Sequence, residues 1–289
     1  MRYIVGYGPE QHGIDGINLA ATLARSSGAV IDMVVVLPDD GPTFHMYSPD
    51  RAFNEELQAQ AEEWLADGLS RVPSGVKVEG RLQPAESIIE GLIEEAENSE
   101  RSSSDDLIVV GTSHRVRLGS IADALLHAAS VPVALAPVGY EPQSGVSRIT
   151  CATGVREGDD VLLDYAIRLA ASWKVPLRLM SLVAVGEGGS EERRQEWTEL
   201  ARLHVESVAA RAAEKLPAEC PVTTIVGHGT SMGDAVSRLE FTASEVAVVG
   251  SSRLAQPKRI FLGRTANKIM RVLSVPMIVV PRDFEHDPA

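Results

Sequence analysis

The sequence predicts an α/β protein built of two similar units. Each is expected to be a doubly wound parallel sheet of five strands, with a pseudo-two-fold axis relating the two. Three observations lead there. Short apolar runs alternate with stretches of helical period along all 289 residues. Most of the runs are continuous rather than alternating, as strands covered on both faces require. The second half also repeats the first at a nearly constant offset.

In the first half, strands are expected at Tyr3–Tyr7, Val30–Leu37, Val76–Leu82, Leu107–Val110 and Val131–Ala136. Between the second and third lies "RAFNEELQAQAEEWLADGLSRV". Phe53, Leu57, Ala61, Trp64, Leu65 and Val72 fall three, four or seven apart there, which makes one apolar stripe on a helix. The second half offers strands at Ile149–Thr153, Leu177–Val183, Val222–Val226, Val246–Val249 and Val275–Val280. Its long helix, "EERRQEWTELARLHVESVAARAAEKL", places Trp197, Ala201, His204, Val208 and Ala212 on one face. His204, at the stripe's edge, reads as a packed histidine before it reads as a ligand.

Gly154 stands 146 residues after Gly8, and Pro217 stands 144 after Pro73. Gly263 and Pro276 likewise stand 144 after Gly119 and Pro132, while Gly250 stands only 139 after Gly111. Duplication of one domain explains this, giving domains at 1–140 and 147–289. The connector is "GYEPQSGVS", Gly139–Ser147, rich in Gly, Pro and Ser. Right-handed crossovers follow, and ligands in such sheets sit beyond the carboxyl ends of the strands.

Composition narrows the function. Apolar residues make up 44% of the chain and charged residues 23%, ordinary values for a globular protein. A formal charge of −13 repels nucleic acid and anionic membrane surfaces. No apolar run is long enough to span a bilayer, and the opening "MRYIVGYGPE" is not a secretory signal. Two cysteines, Cys151 and Cys220, imply no disulfide framework. The expectation is a cytoplasmic protein.

Chemistry concentrates in "GTSHRVRLGSIADALLHAASVPVALAP", Gly111–Pro137. A glycine loop between a strand and a helix is a common phosphate cradle: glycines admit backbone N–H groups, and the helix turns its positive end to the anion. Gly111, Thr112 and Ser113 with Gly119 and Ser120 can serve so, or can simply be a turn and an N-cap. In the second half the matching residues are Gly250, Ser251 and Gly263. Six basic residues run from Arg253 to Arg271 with no acidic interruption, which reads as an anion or partner surface or as a solvated face. "TFHMYSPD", Thr43–Asp50, reads as a loop able to cover a ligand or pack on itself. Asp39-Asp40 lack a matching ligand set for metal. No Walker loop, His-Glu-x-x-His, Gly-x-Ser-x-Gly or Cys-x-x-Cys is present, so no catalytic constellation is expected.

"DLIVVGTS…GSIADALLHAASVPVALAP" resembles the closing half of a universal stress protein domain, and "VAVVGSSRLAQPKRIFLGRTANKIMRVLSVPMIVVP" resembles it again. The chain is thus similar to a tandem universal stress protein. The resemblance implies an adenine nucleotide alpha hydrolase-like, Rossmann-like fold and a stress-response binding or regulatory module rather than an enzyme. It also implies that ATP or a related adenine nucleotide is the ligand to look for. By position it places Gly8, Pro9 and Val36, with Gly154 and Leu182, on the adenosine side. The phosphates would meet Gly111–Ser113 with Gly119 and Ser120, or Gly250 and Ser251 with Gly263.

The family's nucleotide-binding branch carries Gly, two residues, Gly, nine residues, then Gly-Ser or Gly-Thr, and ends its first strand in aspartate. Here His114 and Arg253 replace the middle glycine, and Arg264 replaces the serine. The first loop is five residues short, because the offset falls from 144 to 139. Gly8 and Gly154 are read at the aspartate position. A degenerate site follows, although Arg253 and Arg264 can pair with phosphate oxygens. The resemblance further implies that the last strands, "VPVALAP" and "VPMIVVP", pair the two halves as a pseudo-dimer. A homodimer or another protein partner stays open. The alternative function is an interaction module without nucleotide, acting through that surface and the basic patch 253–271.

Overall fold

A computed structural model describes residues 1–38, 51–98, 106–112, 120–154, 160–186, 190–252, 260–261, 263–282 and 284, without the side chains of 51–54 and 264. The chain divides into two compact units, one through Gln143 and one from Ser144.

In the first unit the strands are β1 (Arg2–Gly6), β2 (Val30–Pro38), β3 (Val78–Ala85), β4 (Leu107–Gly111) and β5 (Val133–Ala136), in spatial order β3-β2-β1-β4-β5. All their pairings are parallel. The described helices are α1 (Gln11–Ser27), α2 (Arg51–Arg71), α3 (Ile88–Glu97) and α4 (Ile121–Ala128). β1 and β4 are apolar runs buried throughout their middles, which is why they form the centre of the sheet.

The second unit repeats this with β6 (Arg148–Ala152), β7 (Leu177–Ala184), β8 (Val222–Gly229), β9 (Glu245–Gly250) and β10 (Met277–Val280), in order β8-β7-β6-β9-β10. Its described helices are α5 (Asp160–Trp173), α6 (Glu191–Lys215), α7 (Met232–Ser237) and α8 (Arg264–Met270). The register repeats too. Gly6 faces Val34 as Ala152 faces Met180, and Leu107 faces Tyr3 as Val246 faces Ile149. Both sheets are doubly wound and parallel, as the apolar runs predict.

Local sequence sets the helix ends. Ser87, Ser120, Ser190 and Ser231 each accept a hydrogen bond from the N–H three residues on, capping α3, α4, α6 and α7. Gly28, at φ 71°, closes α1 by donating to the Ala24 carbonyl. The stripe expected on α2 is half-buried at Leu57, Trp64, Leu65 and Val72 and fully buried only at Ala61; Phe53 lies beyond the described side chains. On α6 the buried face is Ala201, Val205, Val208 and Ala212. Trp197 is 42% exposed, with the Arg193 guanidinium 5.1 Å from its ring centre, so the stripe departs there from its sequence reading. His204 is half-buried.

The start of the connector is tied to α1. Asp15, buried in α1, accepts from the Gly139 N–H at 2.9 Å. Asn18 donates to the Tyr140 carbonyl, and Thr22 accepts from the Gln143 N–H. Positions 15, 18 and 22 share one helix face, so α1 holds the segment down as far as Gln143.

Candidate functional site

The carboxyl ends of the central strands carry the predicted residues in both units. Ser113, Gly119 and Arg253 lie outside the described residues, as do Asp39-Asp40 and Thr43–Asp50, and only the backbone of Arg264 is described.

In the first unit Gly111 ends β4 directly beneath α1. A Cβ at Gly111 would stand 2.0 Å from the His12 carbonyl oxygen, and one at Gly13 would stand 2.0 Å from the Gly8 carbonyl oxygen. One at Gly16 would stand 3.3 Å from the Gly111 nitrogen. Gly111 is therefore a packing glycine, required by the close approach of a helix backbone. Thr112 is spent as well: its N–H and its hydroxyl both donate to the Ala136 carbonyl at 2.9 Å. Ser120 caps α4 by accepting from Asp123 N–H at 3.1 Å, and Asp123 places a carboxylate in the first turn. That charge occupies the positive end an anion would use.

In the second unit the same positions are less occupied. Leu162 of α5 stands where α1 has Gly16, so a side chain separates helix from strand. A Cβ at Gly250 would meet only Leu162 among the described residues, its Cδ2 at 3.5 Å and its Cβ at 4.0 Å. Ser251 donates its N–H to the Val280 carbonyl at 2.9 Å, as Thr112 does to Ala136. Its hydroxyl, however, is buried without a hydrogen-bond partner among the described residues. Ser252 donates its N–H to the Phe261 carbonyl at 2.7 Å. Gly263 packs closely on Ser252, since a Cβ there would lie 3.1 Å from Ser252 Cβ. It begins α8 without a side-chain cap, and the first turn carries no acidic residue. Of the basic run 253–271, Lys268 and Arg271 have described side chains, both exposed.

On the expected adenosine side, Val36 packs on α3, its methyls 3.0–3.1 Å from where a Gly91 Cβ would be. Leu182 packs on β8 in the same manner, 2.9 Å from a Cβ at Gly227. Gly8 is half-buried and Pro9 and Gly154 are exposed. The residues next after β1 and β6 are Tyr7 and Thr153. Each donates its N–H to the second strand, Tyr7 to Val34 and Thr153 to Met180. These residues, one before Gly8 and Gly154, stand where the first strand ends; glycine-to-glycine alignment missed them, and counting the strand register finds them.

Tyr7 fills its surroundings. Its ring lies 2.8 Å from where a Gly68 Cβ would be, and its hydroxyl donates to Asp67 Oδ2 at 2.5 Å. Arg71 donates to both Asp67 oxygens and holds that carboxyl below the usual range, with the Tyr7 hydroxyl adding to the effect. Burial first, and the Asp67 carboxylate second, push the Tyr7 phenol up.

A family model described as the universal stress protein family matches residues 145–281, nearly all of the second unit. Universal stress proteins of Mycobacterium tuberculosis and Mycobacterium bovis are each 24% identical over 299 aligned residues, covering 97% of this chain and 100% of theirs. The second unit thus matches the universal stress protein family, and the chain along its whole length is similar to universal stress proteins. Solved structures agree in fold. A universal stress protein from Archaeoglobus fulgidus superposes with a TM-score of 0.67 at 18% identity, covering 97% of this chain and 96% of that one. A functionally unknown protein from Pseudomonas aeruginosa gives 0.56 at 16% identity, covering 98% and 92%. Among the described residues, no helix is long and apolar enough to cross a membrane, and no group of three or more His, Cys, Asp or Glu is placed to hold a metal ion.

Proposed function

We propose that the chain is a stress-response binding and regulatory module made of two universal stress protein domains, 1–140 and 147–289. In this reading its adenine-nucleotide site is kept at the carboxyl edge of the second domain. One observation carries it. At matched positions after β4 and β9, the Thr112 hydroxyl is consumed by Ala136, whereas the Ser251 hydroxyl is buried and unpartnered among the described residues. A buried hydroxyl without a partner costs free energy that a ligand acceptor or donor restores. The uncapped start of α8 at Gly263, free of acidic residues in its first turn, supports an anion nearby. Gly250 and Leu182 line the same edge, and Arg253 and Arg264 would supply countercharge to phosphate. ATP or a relative is the ligand class, and the module binds rather than catalyses. Both cysteines are free and buried, which fits action in the reducing cytoplasm.

A second reading belongs to the first domain. The His12 carbonyl packs on Gly111, the Thr112 hydroxyl is spent on Ala136, and Asp123 charges the first turn of α4, which favours a partner-binding or structural role without nucleotide for that half. The family's habit of pairing through last strands fits β5 and β10, which end their units' orders and are apolar throughout.

Calorimetric titration with ATP tests the reading. Saturable heat that survives Ser120→Ala and weakens at least several-fold with Ser251→Ala supports it. The absence of heat with any adenine nucleotide favours the interaction module for both halves. Heat lost with Ser120→Ala alone would move the site to the first domain.

A further inference from the structure

At the amino ends of the strands, opposite the site, each unit buries an ion-pair cluster, and the two clusters are built in opposite sense. One pair is common to both. Arg2 Nη2 meets Asp106 Oδ2 at 2.9 Å, and at matched register Arg148 Nη2 meets Glu245 Oε2 at 2.6 Å. The neighbouring strand then differs. Asp32 faces Ile4 on β2, and Arg178 faces Thr150 on β7, the matched position.

Asp32 bridges two guanidinium groups, Arg2 Nη1 at 3.1 Å and Arg81 Nη2 at 2.8 Å. Glu95 closes the ring with Arg2 at 3.0 Å and Arg81 at 3.2 Å. The position matched to Arg81 is Ile225, since Val34 faces Arg81 as Met180 faces Ile225. In the second unit Arg178 donates to Glu245 Oε1 at 2.5 Å, to Thr150 Oγ1 at 2.9 Å and to the Glu240 carbonyl at 3.2 Å. Its guanidinium also lies 5.0 Å from the Phe241 ring centre. The Asp32 and Arg178 side chains are 2% and 8% exposed, so water screens neither strongly.

We infer that this charge reversal is a pairing code that keeps the strands of one repeat from assembling with those of the other. Two copies of one fold on one chain can exchange equivalent strands, a recurrent failure of repeat proteins. The apolar patterns of β2 and β7 both fit a parallel sheet and do not discriminate. Charge does. β7 placed beside β1 would set Arg178 against Arg2 and Arg81 and remove one of the two carboxylates that join them, leaving Glu95. β2 placed beside β6 would set Asp32 against Glu245, with Arg148 alone to offset both. Buried like charges in contact are an effective element against wrong pairing.

The test makes the two codes alike, then different again, in the full chain. R178D/I225R gives β7 and β8 the charges that β2 and β3 carry at the matched positions, and D32R/R81I does the converse. Each variant is unfolded in denaturant and refolded at several protein concentrations. Recovery of the original species is read by size-exclusion chromatography with light scattering and by near-ultraviolet circular dichroism. The code predicts that either double variant recovers roughly half as much native species as wild type or less, with the deficit growing with concentration. It also predicts that the quadruple variant, whose units again differ, recovers well above either double. Lost stability alone predicts the reverse, because four buried charge changes should cost more than two. A quadruple variant that refolds no better than the doubles, or doubles that refold like wild type, overturns the inference.

Discussion

Replacing Gly111 and Gly250 by alanine should have opposite consequences, although the two glycines hold matched places in one repeated fold. At Gly111 the new Cβ would sit 2.0 Å from the His12 carbonyl oxygen and 2.8 Å from its carbon. Relief requires α1 to retreat by roughly 1 Å or more, since overpacking a dense interior is relieved only by backbone shift. That retreat is resisted at two further points, where Gly13 rests on Gly8 and Gly16 on Gly111. The same helix carries the Asp15, Asn18 and Thr22 contacts to the connector. Overpacking typically costs about 1–3 kcal/mol, and the upper end applies because the obstacle is backbone. At about 2–4 °C per kcal/mol for a domain of this size, the first unit's transition should fall by roughly 6–12 °C. At Gly250 the Cβ meets Leu162 Cδ2 at an ordinary 3.5 Å. Gly250→Ala should therefore change stability by less than about 1 kcal/mol, and in the favourable direction through the unfolded chain. Differential scanning calorimetry of both variants decides. Equal losses at the two sites, or a larger loss at Gly250, would refute the assignment of Gly111 to packing.

Other outcomes follow from the same contacts. Glu245→Gln removes the carboxylate from between Arg148 and the buried Arg178; breaking such a pair should cost about 3–5 kcal/mol in urea unfolding, and a loss below about 1 kcal/mol would contradict the burial. Ser251→Ala should raise stability slightly, by up to about 1 kcal/mol, because it removes a buried hydroxyl that lacks a partner among the described residues; clear destabilisation would show a partner in place. The Tyr7 phenol is held above its ordinary value, so the unfolded chain releases that proton first, and stability should fall as pH climbs past about 10. Tyrosinate absorbance should show this phenol titrating earlier in Asp67→Asn, and an unchanged profile would count against the contact.

Much of the fold was legible in the sequence because parallel strands are short continuous apolar runs. The offset between halves supplied the topology twice. Fine placement was less legible. Glycine matching set Gly8 and Gly154 at the first strand's end, whereas the backbone hydrogen bonds set Tyr7 and Thr153 there. Trp197 fits the α6 stripe by spacing yet stands outside it, since the buried face is centred on Ala201, Val205 and Val208. Composition marks the Gly/Pro/Ser connector but not its anchors, Asp15, Asn18 and Thr22, which lie more than a hundred residues away. The glycines of the loop could not disclose their purpose from sequence. Gly111 serves a helix backbone and Gly250 does not, and the difference lies in Gly16 against Leu162, residues outside any loop motif.

Amide-resolved nuclear magnetic resonance during titration with ATP tests most directly which edge receives a ligand. The account predicts saturable shifts at Gly250, Ser251, Ser252 and Gly263, with Gly111, Thr112 and Ser120 unmoved. Saturable shifts confined to the first unit's residues would contradict it.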